Sequence, residues 1–294
     1  MESVDVSRTT GVVPPRCGVV GGGRMGSGIA HALLLAGSSV TVAEAGPEAG
    51  EAARHRVTAA VQASSERGLL SESVEALLNR LSVADSIGAL SACGLVIEAV
   101  PEDLALKIDV VRAIEAVVSA DAVIATNTSS LPVVDIASAS AHPERVIGLH
   151  FFNPVPASAL VEIVVAEQTA PDLVDAARGW VVALGKTPIV VRDSPGFASS
   201  RLGVALGLEA IRMVEEGVAS ADDIDAAMAL GYRHPVGPLR LTDIVGLDVR
   251  LGIARHLEAT LGPRFSPPAL LVDKVNRGEL GRKSGQGFYD WAES

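Results

Sequence analysis

At 294 residues the chain has room for two domains with cores of their own. Apolar residues make up 48% and aromatics only 3%, so Ala, Val and Leu must fill the core, as in helices packed on a parallel sheet. A net charge of −11, from 24 basic and 35 acidic residues, argues against a nucleic-acid or membrane-surface partner, and two cysteines allow neither a disulfide framework nor a metal site.

Residues 1–15 are polar, hold no signal-peptide core and are expected to form a disordered tail. No apolar run is long enough to span a membrane, and the expected location is cytoplasmic. Cys17 and Cys93 sit beside apolar strands and read as buried free thiols.

Residues 16–20 read as a short buried strand that runs directly into Gly21, Gly22, Gly23, Arg24, Met25 and Gly26. Gly21, Gly23 and Gly26 match G-x-G-x-x-G. A helix follows to about residue 36, with Met25, Ile29, Leu33 and Leu34 at helical spacing and Gly37 at its end. The first glycine permits the tight turn, the second the approach of a pyrophosphate, and the third the packing of helix on strand. The phosphates would lie on the helix N-terminus, where free amides and the dipole favour anions. A second strand, 39–43, ends at Glu44, about twenty residues on, where a carboxylate binds ribose hydroxyls and repels a 2′-phosphate. This combination favours NAD over NADP. A plain surface glutamate is the other reading of Glu44.

Two helices are expected at 47–67 and 71–79, the second capped by Ser71. A strand at 95–99 leads through Glu102 into a helix ending near 118. Another strand, 122–126, ends in Thr126, Asn127, Thr128, Ser129 and Ser130. Ligands of open α/β sheets bind at that carboxyl edge, although these hydroxyls would equally cap the next helix at Pro132.

The stretch 146–156, VIGLHFFNPVP, is the pivot of the chain. His150 ends an apolar run, 145–149, that reads as a strand. Asn153-Pro154 forces a turn. A further strand, 160–165, carries Glu162, and the short turn would set Glu162 beside His150. A carboxylate there holds the imidazole tautomer and stabilises its charged form. A core histidine with a surface glutamate is the alternative.

The last strand is expected at 186–192. Beyond it the chain reads as helical: 196–216 behind Ser194 and Pro195 and apolar on most sides, 220–230 behind a Ser220/Asp223 capping box, 239–261, and 268–276. The tail, 281–291, is glycine-rich and basic, then aromatic, and its Phe288, Tyr289 and Trp291 point to a docked end rather than a flexible one.

Taken together these residues resemble the L-3-hydroxyacyl-CoA dehydrogenase family, and among its members the bacterial 3-hydroxybutyryl-CoA dehydrogenases. The similarity runs from about Cys17 to Trp291. Its markers are the Gly21–Gly26 loop, the 127–130 cluster NTSS, the 149–154 stretch LHFFNP, the 194–197 stretch SPGF, the 235–238 stretch PVGP and the 283–289 stretch KSGQGFY. The resemblance implies an α/β Rossmann-type NAD-binding domain over 16–193, then an all-α dimerisation domain over 194–294. It implies an NAD-dependent enzyme acting on acyl-CoA thioesters and assembling as a homodimer. His150 would be the general base, Glu162 would orient and charge it, and Ser129 would bond near the reacting oxygen. Glu102, Lys107, Asn127, Asn153 and Lys283 match cofactor-contacting positions.

Two departures from the family pattern bear on the substrate. Ser200 stands where an asparagine commonly holds the thioester carbonyl, and Ser158-Ala159 replaces a common Met-Lys. Ser200 and Asn153 are expected to face substrate, and Arg67 is a candidate for the CoA phosphates. A short acyl chain such as 3-hydroxybutyryl is the leading expectation. The alternatives are 3-hydroxyadipyl-CoA, with Arg201 or Arg233 near a distal carboxylate, or a carrier-protein thioester. A non-catalytic NAD-binding protein is the reading from a different class.

Overall fold

The computed structural model describes residues 11–292. Contacts divide the chain into two compact units, Met1–Asp193 and Ser194–Ser294.

The first unit is built on strands β1 (Arg16–Val20), β2 (Ser39–Ala43), β3 (Leu81–Ala84), β4 (Leu95–Glu98), β5 (Val123–Thr126), β6 (Val146–Phe151), β7 (Leu160–Val165) and β8 (Thr187–Arg192). They form one sheet in the order β3-β2-β1-β4-β5-β6-β7-β8. The pairs from β3 to β6 are parallel, β7 runs antiparallel to β6, and β8 runs parallel to β7. Helices α1 (Arg24–Leu35), α2 (Pro47–Glu66), α3 (Val74–Asn79), α4 (Leu104–Glu115), α5 (Val133–Ala137) and α6 (Pro171–Ala183) cover the sheet. Both faces are buried. Val19, Val40, Val42 and Ile97 belong to one apolar cluster, while Val20, Val96 and Ile124 belong to the other. Such two-sided burial is why these strands read as continuous apolar runs. Strand order reverses between β1 and β4, so a crevice opens there at the carboxyl edge.

Several local expectations change. Strand β3 was not anticipated, being four residues at the sheet edge. Nor was α6, although Leu173, Ala177, Trp180 and Val181 are buried at helical spacing. The cap of α3 is Ser73, whose hydroxyl accepts from the Ala76 amide at 3.1 Å, and not Ser71. The tail expected over 1–15 lies outside the described residues for its first ten. Residues 11–15 are docked instead: Val13 is 4% exposed, and the Pro14 carbonyl accepts from Ser38 Oγ at 2.8 Å. Cys17 and Cys93 are buried free thiols, and burial pushes the Cys17 thiol up to about 12.

The second unit holds α7 (Ser199–Glu215), α8 (Ala221–Ala226), α9 (Pro238–Val245), α10 (Leu247–Leu261) and α11 (Ala269–Asn276) around a core that includes Val204, Leu208, Leu239, Leu251 and Leu257. The expected helix from 196 begins only at Ser199, because Gly196 (φ 74) and Phe197 (φ 50) take left-handed conformations that no α-helix accommodates. Its apolar Leu202 is 71% exposed, so the helix is not buried on every side within the chain. The single helix expected over 239–261 is two helices, divided at Gly246 (φ 107). The Ser220 cap forms, its hydroxyl accepting from the Asp223 amide at 3.1 Å.

The aromatic tail is docked by one carboxylate. Asp243, fully buried, accepts from the Phe288 and Tyr289 amides at 2.9 Å each and from Trp291 Nε1 at 2.8 Å. Tyr289 in turn donates to Asp225 at 2.8 Å.

Candidate active site

Three clusters line the carboxyl edge of the first sheet. The first is the glycine loop. Gly21 (φ 90) makes the turn, and its amide donates to the Ala43 carbonyl at 2.9 Å. A Cβ on Gly26 would stand 1.8 Å from the Gly21 carbonyl oxygen, so only glycine lets α1 start this close to β1. A Cβ on Gly23 would meet nothing within 4 Å, so that glycine borders open space. No side chain caps the start of α1, where Gly23 and Arg24 are exposed while Met25 packs on the core. Uncapped amides beside an open glycine fit the pyrophosphate of a dinucleotide. Glu44 reaches back into the loop, accepting from the Gly22 amide at 2.6 Å. Arg56 and Ser27 also brace the loop, donating to the Gly22 carbonyl at 2.9 and 2.6 Å. Neither stood out in the sequence, because neither belongs to the glycine pattern.

The second cluster joins the ends of β4 and β5. Glu98 closes β4 fully buried, with Oε1 accepting from Lys107 Nζ at 2.8 Å and from the Val100 amide at 2.7 Å. Its Oε2 accepts from Thr126 at 2.8 Å. Lys107 is itself 0% exposed and also pairs with Glu102 at 3.3 Å. Its ammonium neutralises two carboxylates beneath the site. Glu102 gathers the polar cluster after β5. Its Oε1 accepts from Thr128 Oγ1 at 2.7 Å, from the Ser129 and Ser130 amides at 2.8 and 3.0 Å, and from both serine hydroxyls at 3.2 Å. Burial pushes the Glu102 carboxyl up, but Thr128, the Lys107 charge and the two amides outweigh it and hold the group below the usual carboxylate range.

The third cluster is the pair on β6 and β7. His150 lies opposite Glu162 in the antiparallel register, with Nδ1 and Oε2 2.7 Å apart. Glu162 is 0% and His150 6% exposed. A buried carboxylate at Nδ1 demands the proton there, so the neutral imidazole carries its lone pair on Nε2. The Phe152 ring packs against the imidazole, centroids 4.4 Å apart. Asn127 ties this cluster to the second, since its Oδ1 accepts from the Phe151 amide at 2.9 Å. Asn153 follows, exposed, at the turn after β6.

The remaining expected residues lie elsewhere. Arg67 caps the far end of α2, near the level where His31, late in α1, meets Ser64 at 2.9 Å. A helix of 20 residues is about 30 Å long, so Arg67 does not join the cluster at the carboxyl edge. Ser200 and Lys283 belong to the second unit. Ser200 is half-buried in the first turn of α7, and Lys283 pairs with Asp248 at 2.5 Å. No helix of the described residues is long and apolar enough to cross a membrane.

Residues 16–194 match the family described as 3-hydroxyacyl-CoA dehydrogenase, NAD binding domain, and residues 196–291 match its C-terminal domain. The chain belongs to the 3-hydroxyacyl-CoA dehydrogenase family. The 3-hydroxybutyryl-CoA dehydrogenase of Mycobacterium tuberculosis is 43% identical over 94% of this chain and 98% of its own length. The probable 3-hydroxybutyryl-CoA dehydrogenase of Bacillus subtilis is 40% identical over 94% and 96%. The crystal structure of (S)-3-hydroxybutyryl-CoA dehydrogenase from Ralstonia eutropha superposes with a TM-score of 0.90 at 36% identity, covering 95% of this chain and 99% of that one. The α/β unit is thus the NAD-binding domain of this family and the helical unit its C-terminal domain.

Proposed function

We propose that the protein is an NAD-dependent dehydrogenase that oxidises the hydroxyl of (S)-3-hydroxyacyl-CoA thioesters and, in reverse, reduces 3-oxoacyl-CoA. The observation that carries this reading is the buried His150–Glu162 pair, 2.7 Å apart, at the carboxyl edge of the NAD-binding domain. His150 Nε2 takes the proton of the 3-hydroxyl. Glu162 holds the imidazole in the required tautomer and stabilises the imidazolium that forms. A base so placed contributes about 10²–10⁴-fold. NAD, when bound, supplies the hydride acceptor at C3. Ser129 bonds near the reacting oxygen and Ser200 faces the thioester. Glu102, Asn127, Asn153 and Lys283 are cofactor contacts. Gly21 to Gly26 hold the pyrophosphate, and Glu44 takes the ribose hydroxyls, which favours NAD over NADP.

The enzyme works as a cytoplasmic homodimer. Support comes from apolar side chains left open on the C-terminal domain: Val249, Ile244 and Val245 are 43%, 39% and 39% exposed. The test of the reaction is NADH oxidation with acetoacetyl-CoA against free acetoacetate. Rapid oxidation of NADH by the thioester alone is the expected result. No oxidation with any 3-oxoacyl-CoA would overturn the reading.

A further inference from the structure

Strand pairing between β6 and β7 stops at Phe151 opposite Val161, one residue beyond His150 opposite Glu162. The connection, 152–159, therefore has to be held by other contacts. Within it the Pro154 carbonyl accepts from the Ala157 and Ser158 amides at 3.0 Å each. Val155 is 2% exposed and belongs to the same core cluster as Ile29 and Leu33 of α1. A Cβ on Gly28 would stand 2.8 Å from the Val155 Cβ, so α1 closes on this side chain with no room to spare.

The main chain of the connection is held by Lys186, the residue just before β8. Its Nζ donates to the Val155 and Ser158 carbonyls at 2.6 Å each. One ammonium thus ties two points of the connection to the start of β8, beside the bond from the Thr187 amide to the Ala159 carbonyl at 2.6 Å. A neutral donor would close a turn at a smaller desolvation cost. Burial holds the Lys186 pKa below its usual value, and its two bonds run to carbonyls rather than to a carboxylate. What the charge adds is strength, since a hydrogen bond from an ionised donor is roughly twice as strong as a neutral one.

That strength is applied where geometry counts. Phe152, whose ring packs on the imidazole, and Asn153 are the first residues of the same connection. A misplacement of about 1 Å at a reacting centre costs on the order of 10²-fold in rate. We infer that Lys186 is a positioning residue: by tying the Val155 and Ser158 carbonyls to the start of β8, its ammonium fixes how β6 and β7 present His150 to Glu162 and to the substrate. This rests on the reading above, in which His150 is the base. The effect of Lys186 passes through the pair.

The test is a double-mutant cycle on kcat, measured by NADH oxidation with saturating acetoacetyl-CoA and the full-length enzyme. Lys186→Met should lower kcat about 10- to 100-fold, and Lys186→Arg, which keeps the charge and several donors, should recover part of the loss. In a Glu162→Gln background, where the pair is already broken, Lys186→Met should lower kcat less than about threefold, while its effect on Tm persists. A purely structural role would reduce the active fraction by the same factor in both backgrounds. Lys186→Gln, polar and neutral, takes its place in the cycle if Lys186→Met does not fold. A wild type that turns over the thioester, with kcat of Lys186→Met within threefold of it, overturns the Lys186 proposal alone. So does an equal fold-loss in the two backgrounds. No turnover of any 3-oxoacyl-CoA by the wild type overturns the underlying reading as well.

Discussion

Replacing Glu162 by Gln keeps the volume of a fully buried side chain and removes only its charge and one acceptor oxygen. In the protein Glu162 Oε2 stands 2.7 Å from His150 Nδ1, a charge-assisted hydrogen bond with both groups out of water. Such a bond contributes about 1.5–3 kcal/mol, and about 1.36 kcal/mol is a factor of ten in rate. Loss of the charge alone therefore predicts about a 10- to 100-fold fall in kcat. The amide can also present its N–H₂ to Nδ1, which moves the imidazole proton to Nε2 and removes the base. In the serine-protease triad the equivalent swap costs about 10⁴-fold by that route. The expected fall in kcat for Glu162→Gln lies between these limits, with the KM for NADH within about threefold of wild type, because the pair sits on β6 and β7 and the glycine loop follows β1. Steady-state NADH oxidation with a saturating 3-oxoacyl-CoA measures both constants. A variant within threefold of wild-type kcat would refute the assignment of Glu162 and the tautomer argument with it.

Three further outcomes follow from the geometry. Glu44→Ala removes the acceptor of the Gly22 amide and the proposed ribose contact, and should raise the KM for NADH about tenfold, a larger change than it makes for NADPH, whose 2′-phosphate is freed of the carboxylate's repulsion; a wild type that already prefers NADPH would contradict this. Burial, and secondarily the charge of Lys186, hold the His31 imidazole below its usual pKa. The unfolded chain then takes up the proton first, so the His31 contribution to stability is complete above about pH 6.5 and is lost as the pH falls through the depressed value. Urea unfolding at pH 7.5 and 5.5 should show a smaller loss for His31→Gln than for wild type, and equal losses would clear His31 of the effect. Asp243→Asn turns an N–H₂ toward the three donors of the tail; one of them goes unsatisfied at about 1–3 kcal/mol, seen as a lower Tm and faster proteolysis near residue 291.

Sequence alone determined what depends on local spacing. The glycines at 21, 23 and 26 follow a strand and open a helix, an order that already specifies a dinucleotide turn. The near approach of His150 to Glu162 was legible for the same reason, because two strands joined by one short turn leave little choice of register. Local signals misled where backbone conformation is set from outside. Gly246 reads as one glycine inside a helix but breaks it, and Phe197 holds a left-handed conformation that no motif announces. Only the tertiary structure decided which charges are buried and which partner meets each one. Lys107, matched by the resemblance to a cofactor-contacting position, lies at 0% exposure between Glu98 and Glu102. Asp243, which no local pattern singles out, anchors a tail more than forty residues away. The energy of a buried charge depends on the dielectric and on acceptors brought from distant parts of the chain, and neither is written in the spacing of its neighbours.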